Sequence, residues 1–247
     1  MSITGPEELL GMRAAGEVVR AMIAAMKERV RPGVSTAELD AVGGEVMRQH
    51  GARSAPALVY QFPGVNCISV NDEAVHGIPG DRKVCEGDLV KLDVTVEKNG
   101  FMADAAVTVG VGEVGDENRR LMECAERAFT KAMLVARAGF RVSEIGRVVE
   151  REVRRSGFSV IRDLGGHGIG RTIHEEPRVP NFADPGANHI LTEGLVITVE
   201  PIIAAGSGRA VVAKDGWTIK TADGRPSAHY EHTLVITKRE PILLTAA

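Results

Sequence analysis

Apolar positions recur along this chain with two periods, and each period marks a different kind of element. Met12, Ala15, Val19, Met22, Ile23, Met26 and Val30 follow a helical stripe, as do Leu121, Ala125, Ala128, Phe129, Ala132 and Met133. Two shorter stripes (Leu39, Val42, Val46 and Ile145, Val148, Val149) each follow a Gly-marked turn and predict two more helices. Ser35, three residues before Glu38, reads as a capping box at the start of the first of these. From Leu89 to Glu97, and again from Met102 to Val109, the pattern changes to alternation, the period of a strand. Between them, Asn99-Gly100 is the strongest short hairpin signal, because both residues tolerate the positive φ of a two-residue turn.

That turn fixes a register. Asp104 falls opposite Thr95, and Asp93 opposite Ala106. Asp93, Thr95, Asp104 and Ala106 then share one face, while Leu92, Val94, Val96, Ala103, Ala105 and Val107 point to the core. The two carboxylates become diagonal neighbours, about 5–8 Å apart at Cβ.

The pattern occurs twice. A shift of 106 positions carries Gly33 onto Gly139, Glu38 onto Glu144, Leu39 onto Ile145, Val42 onto Val148 and Gly51 onto Gly157. A shift of 107 lays the run from Glu86 to Asp93 over the run from Glu193 to Glu200, each a β-rich stretch ending in an acid. Asp104 and its strand resemble Glu231 and the strand that follows it, after a longer loop. The expectation is two related halves, about 5–110 and 111–240, each of helix, helix and strand hairpin, in a single domain spanning 1–247 with its acids on facing sheets.

Composition narrows the function. With 30 Lys+Arg against 33 Asp+Glu, the net charge of −3 gives no basic footprint for nucleic acid. No run of 18 apolar residues suggests a membrane span. The opening MSITGPEELLGMR carries acids and no apolar stretch, so no secretory leader is expected and the location reads as cytoplasmic. Cys67, Cys85 and Cys124 are sparse and lack a C-x-x-C spacing, which fits reduced thiols rather than disulfides or a zinc knuckle.

Asp93, Asp104, Glu200 and Glu231, all embedded in apolar β sequence, admit two readings: a solvated polar strand face, or carboxylates that need two divalent cations between them. Three histidines in Gly- or Pro-bounded contexts add to the second, namely His76, His167 and His174. The glycines around His167 suggest a backbone that closely approaches something bound. His50, at a helix end, and His189 read as ordinary structural residues. Gly110-Val-Gly112-Glu-Val-Gly115 matches a dinucleotide fingerprint, but it follows an antiparallel hairpin rather than opening a βαβ unit, so no such site is expected.

Six segments together resemble the type I methionine aminopeptidases, of the pita-bread metallopeptidase fold shared with creatinase and prolidase. They are Asn71-Asp-Glu-Ala-Val-His76-Gly-Ile-Pro79, Lys91-Leu-Asp93-Val, Met102-Ala-Asp104-Ala, Gly166-His167-Gly-Ile-Gly-Arg-Thr-Ile-His174-Glu-Glu-Pro177, Thr198-Val-Glu200-Pro201 and Tyr230-Glu231-His232-Thr233. The resemblance implies an α+β fold with a central curved antiparallel sheet and outer helices. It implies that Asp93 binds one metal, that His167 and Glu200 bind the other, and that Asp104 and Glu231 bridge both. The ions implied are Co, Mn or Fe(II), with Zn or Ni also possible, and a bridging hydroxide would attack the scissile carbonyl. Glu200 would move the proton, His174 would steady the oxyanion and His76 would contact the substrate amide or leaving group. Phe62, Cys67 and Trp217 match positions that line the methionine pocket. The substrates implied are N-termini of nascent polypeptides with a small second residue, met near the ribosome by a monomer. Departures from the family pattern fall at Ile173, Val75, His229 and the Tyr60-Gln61-Phe62 segment, none of them ligand positions. Two other readings stay open. One is a proline-directed aminopeptidase or dipeptidase, whose members usually carry an extra N-terminal domain that 247 residues would not hold. The other is a ribosome-associated binding homologue without catalysis.

Overall fold

The computed structural model describes residues 1–246. Helix α1 (Pro6–Lys27) starts where its sequence directs. Pro6 sits in the first turn with Glu7 and Glu8, and Lys27 closes the last turn, so the charges oppose the helix dipole. Helix α2 (Thr36–Gln49) has the expected capping box: Glu38 N–H donates to Ser35 Oγ at 3.1 Å, and Ser35 N–H donates to Glu38 Oε2 at 2.8 Å. After β1 (Arg53–Ser54), α3 (Ala55–Tyr60), β2 (Cys67–Val70) and β3 (Glu73–Val75) comes the long hairpin of β4 (Leu89–Lys98) and β5 (Phe101–Gly110). Its register pairs Asp93 with Ala106 and Thr95 with Asp104, and its turn residues Asn99 and Gly100 have φ of 52° and 84°.

The second half begins with α4 (Asp116–Ala132) and α5 (Val142–Arg155), followed by β6 (Ser159–Val160), β7 (Gly165–Gly168), β8 (Glu175–Pro180) and β9 (Val196–Val199). Then come β10 (Ile202–Ala204), β11 (Ala210–Val212), β12 (Ile219–Thr221), β13 (Ser227–His229), β14 (Glu231–Val235) and β15 (Ile242–Leu243). Nine strands form one sheet in the order β1-β4-β5-β14-β9-β7-β8, with β2 also beside β4 and β15 beside β14. Its pairings are all antiparallel. The acids therefore stand on one continuous sheet, because β5 pairs directly with β14, and not on two facing sheets.

Helices cover the sheet in two pairs. Met12, Met22 and Leu39 pack with Leu92 and Val94 in one apolar core, and Leu121, Phe129 and Ile145 pack with Ile197 and Val199 in the other. The internal repeat appears as repeated geometry. Gly33 and Gly139 have φ of 88° and 93°, and each donates its N–H across a loop, to Val84 O at 2.8 Å and Leu191 O at 2.9 Å. Arg141 N–H donates to Glu144 Oε2 at 2.8 Å as Ser35 N–H does to Glu38, but Arg141 offers no acceptor in return.

The second hairpin is longer than its sequence suggests. The register that pairs Val199 with His232 continues as the register that pairs Ile202 with His229. The ladder is interrupted only at Glu200 and Pro201, opposite Tyr230 and Glu231. Beyond it, the β11–β12 hairpin reaches back to β3, where Ile219 pairs with Val75. Strand β13, at the end of this insertion, and β3 pack against β4 and β5, where Thr95, Asp104 and Ala106 are buried. Lys91 is also fully buried there. Its ammonium donates to Asn71 O at 2.7 Å and Ser227 O at 3.4 Å, and burial pulls its pKa down to about 7. Among the described residues, no helix is long and apolar enough to cross a membrane.

Candidate metal centre and substrate pocket

Sheet register alone gathers the acids. Asp93 on β4 lies beside Ala106 on β5, and Ala106 lies beside Glu231 on β14. Continuing the β9–β14 ladder by one pair sets Glu200 opposite Glu231. The methyl group of Ala106, at the middle of this row, leaves the space above it open. Asp104, two residues before Ala106, shares the face. On β7, Gly168 pairs with Ile197, and the neighbouring His167 N–H donates to Thr198 Oγ1 at 3.1 Å. That bond brings the imidazole over Glu200, with Nε2 3.9 Å from Oε2. Gly166 and Gly168 make the approach possible. A Cβ at Gly166 would lie 2.4 Å from Thr198 O, and one at Gly168 would lie 2.2 Å from Glu176 O. The close neighbour of these glycines is therefore protein backbone and not a ligand, which corrects the expectation for them.

The cluster is electrostatically unbalanced as it stands. Burial, then repulsion from Asp93 and Glu200, pushes the Asp104 carboxyl well above the ordinary range. Burial and repulsion from Glu231 do the same to Glu200, and burial with Asp104 does so to Glu231. Burial also raises Asp93. Asp104 Oδ1 and Glu231 Oε1 are buried without a hydrogen-bond partner. One ligand atom each from Asp104, His167 and Glu231 lie within 4.8 Å of one another, and so do those of Glu200, His229 and Glu231. Asp93 stands outside both triads but lines the same cavity. His167 is set up as a neutral donor: burial and the adjacent His174 hold its pKa at about 4, and Nδ1 pairs with Gly168 O at 2.9 Å. Buried, mutually repelling carboxylates, orphaned oxygens and a neutral imidazole fit divalent cations with oxygen and nitrogen ligands. Cys67 adds no thiolate, since burial and Asp93 push its thiol well up.

An apolar pocket opens beside the acids. Phe62, Cys67 and Trp217 line it, and Asp93, Asp104, His76 and His174 border it. Phe62 and Trp217 meet edge to face at 5.3 Å. The insertion places Trp217 here, since the indole sits in the β11–β12 turn. His76 adopts a left-handed φ of 57°, which is uncommon outside glycine, immediately after β3. His174 stacks edge-on with His167 at a centroid distance of 4.2 Å, and Glu175 ties its loop by accepting from the Arg171 and Thr172 N–H groups. His50 caps α2 and His189 lies in an exposed loop, both outside the cavity.

Two neighbours of the site escaped the sequence reading as site residues. Tyr60 OH lies 2.6 Å from His174 Nδ1, at the end of the short helix α3, a contact across 114 positions with no local signal. His229 is buried within the acid cluster. Its position two before Glu231, across a strand break, was the available hint.

Known proteins match this arrangement. The model of metallopeptidase family M24 covers residues 11–238. Methionine aminopeptidase 2 of Bacillus subtilis strain 168 is 46% identical over 247 residues, 99% of each chain, and methionine aminopeptidase of Clostridium perfringens is 43% identical over 234 residues, 95% of this chain and 94% of that one. The crystal structure of methionine aminopeptidase from Rickettsia prowazekii superposes with a TM-score of 0.95 at 35% identity, covering 100% of both chains. Prolidase from Pyrococcus furiosus, 24% identical with a TM-score of 0.80, shares the fold, this chain spanning 65% of that one. On these matches the chain belongs to metallopeptidase family M24, the pita-bread peptidases that use divalent metal.

Proposed function

We propose that this protein removes the N-terminal methionine from peptides and nascent proteins whose second residue is small. The observation that carries the reading is the union of a buried carboxylate–imidazole cage with an adjoining apolar pocket, in a chain similar over nearly its whole length to methionine aminopeptidases. Asp93, Asp104, His167, Glu200 and Glu231 would hold two divalent ions, of Co, Mn, Fe(II), Zn or Ni type, with Asp104 and Glu231 shared between them. Such ions supply Lewis acidity toward a carbonyl and lower the pKa of water.

The chain's own groups do the rest. Phe62, Cys67 and Trp217 form an apolar wall of the size of a thioether side chain, and they seat it beside Asp93. Glu200, whose carboxyl is pushed up by burial and Glu231, would take a proton and return it to the leaving amine. The Tyr60 hydroxyl, kept protonated by its raised pKa, donates to His174 Nδ1. That leaves the proton on Nε2, where it can be given to a developing oxyanion. His76, held neutral by burial and then His229, contacts the scissile amide. The protein would act as a monomer in the cytoplasm, near the ribosome.

Cleavage of Met-Ala-Ser and Ala-Pro-Ala, with and without added divalent ion, tests the reading. Metal-dependent release of methionine from the first peptide is the expected result. Cleavage of the second alone would favour a proline-directed enzyme, and cleavage of neither with metal supplied would favour a binding homologue.

A further inference from the structure

His229 is the polar side chain in the acid cluster to which the five-residue ligand set gives no task. It ends β13 at 2% exposure. Its backbone is pinned: its N–H donates to Thr108 Oγ1 at 2.8 Å, and its carbonyl accepts from the same hydroxyl at 2.9 Å. Across the ladder it faces Ile202. Neither ring nitrogen has a hydrogen-bond partner within the protein. Leaving even one buried polar group unmet costs about 1–3 kcal/mol. Both nitrogens are bare at a position where the sequence could have placed a hydrocarbon.

The surroundings say what would satisfy it. Nε2 lies 3.4 Å from Glu231 Oε2, and one ring nitrogen and one oxygen each of Glu200 and Glu231 lie within 4.8 Å of one another. Three donor atoms so spaced can share a central cation, whose bonds to nitrogen and oxygen run about 2.0–2.2 Å. The same cation would answer the orphaned Glu231 Oε1. A hydrogen bond to Glu231 alone would leave the second ring nitrogen and that oxygen unmet.

We propose that His229 is a sixth protein ligand of the metal centre, giving a ring nitrogen to the ion held by Glu200 and Glu231. The inference rests on reading the cavity as a metal centre and extends it. The bond formed is a dative one from the neutral ring's lone pair, and no proton or electron changes hands. With His167 Nε2 on the other side of Glu200, the centre carries two imidazoles rather than one. Imidazole suits Fe, Co, Ni and Zn better than it suits Mn.

The full-length protein, stripped with chelator and reloaded with Co(II), gives a direct count. Each ligated imidazole with a remaining N–H yields one hyperfine-shifted, solvent-exchangeable proton resonance. Wild type is expected to show two such resonances, and His229→Gln and His229→Asn one. Calorimetric titration is expected to show Co(II) affinity at one site falling at least tenfold in both variants, with Mn(II) affinity falling less. A single resonance in wild type, or the wild-type count in either variant, overturns the proposal, even if affinity falls, since His229 would then only orient Glu231. Wild-type protein that takes up no divalent ion at all overturns the metal-centre reading and this one with it.

Discussion

At the scale of single residues, the site is a set of charges forced together and left uncompensated by the protein itself. Asp104 is central, because its carboxyl is fully buried between Asp93 and Glu200 and one oxygen lacks any partner. Asp104→Ala removes a repelling charge from the metal-free chain and, on the proposed reading, a bridging ligand from the loaded one. Metal analysis and peptide assay together check it: bound metal and turnover should both be lost, while the metal-free variant melts no lower than metal-free wild type. Turnover retained in the variant is incompatible with a bridging role. Tyr60 acts one step further out. Tyr60→Phe leaves His174 Nδ1 without its hydroxyl partner, so kcat should fall about tenfold with little change in KM. An unchanged kcat would remove Tyr60 from the positioning scheme.

At the scale of elements, the helices are held to the sheet by apolar stripes and to each other by a few semi-buried charges. Glu152 on α5 is buried and accepts from Lys131 and Arg127 of α4. Burial pushes its carboxyl up, but the two cations outweigh that and leave its pKa below the ordinary value. A carboxylate lowered in the folded state contributes stability above its unfolded pKa and loses it as pH falls through the folded one. Glu152→Gln should therefore cost about 1 kcal/mol at pH 7, discounted because both partners are partly exposed. Urea denaturation repeated down to pH 3 should show the difference shrinking below the ordinary glutamate range. A difference independent of pH would mean that packing, not charge, sets it. Lys91 does a related task between elements, joining β4 to the β2–β3 turn and to β13, the strand that ends in His229, through two backbone carbonyls.

At the scale of the whole molecule, divalent ions held by these acids would contribute to the fold's stability. The acids come from β4, β5, β14 and the residue after β9, in both halves, so an ion bound between them would tie these strands together. A ligand that binds only the folded chain stabilises it by about 3 kcal/mol at a hundredfold excess over its Kd. Thermal unfolding should show the melting temperature of chelated protein rising with added divalent ion, and that rise should be absent in Asp104→Ala. No rise in wild type would place the ions outside the sheet.

Much of this was legible from residue order. The Asn99-Gly100 turn fixed the β4–β5 register, and the two apolar stripes located α1 and α4, because turn chemistry and side-chain period are local properties of the chain. The repeated Gly33 and Gly139 turns gave the twofold plan, since each position adopts a φ that glycine adopts most readily. Periodicity could place Asp93 and Asp104 on one face, but not say whether that face met water. The β5–β14 pairing, across more than a hundred positions, brought Glu231 beside Ala106, and the β10–β13 insertion covered the row. His229 entered the site with that insertion, and Tyr60 through its contact with His174, 114 positions away. Residue order alone specifies the elements, their faces and the succession of the acids. That those acids are buried against one another follows from the fold, because burial depends on which distant strands become neighbours when the sheet forms.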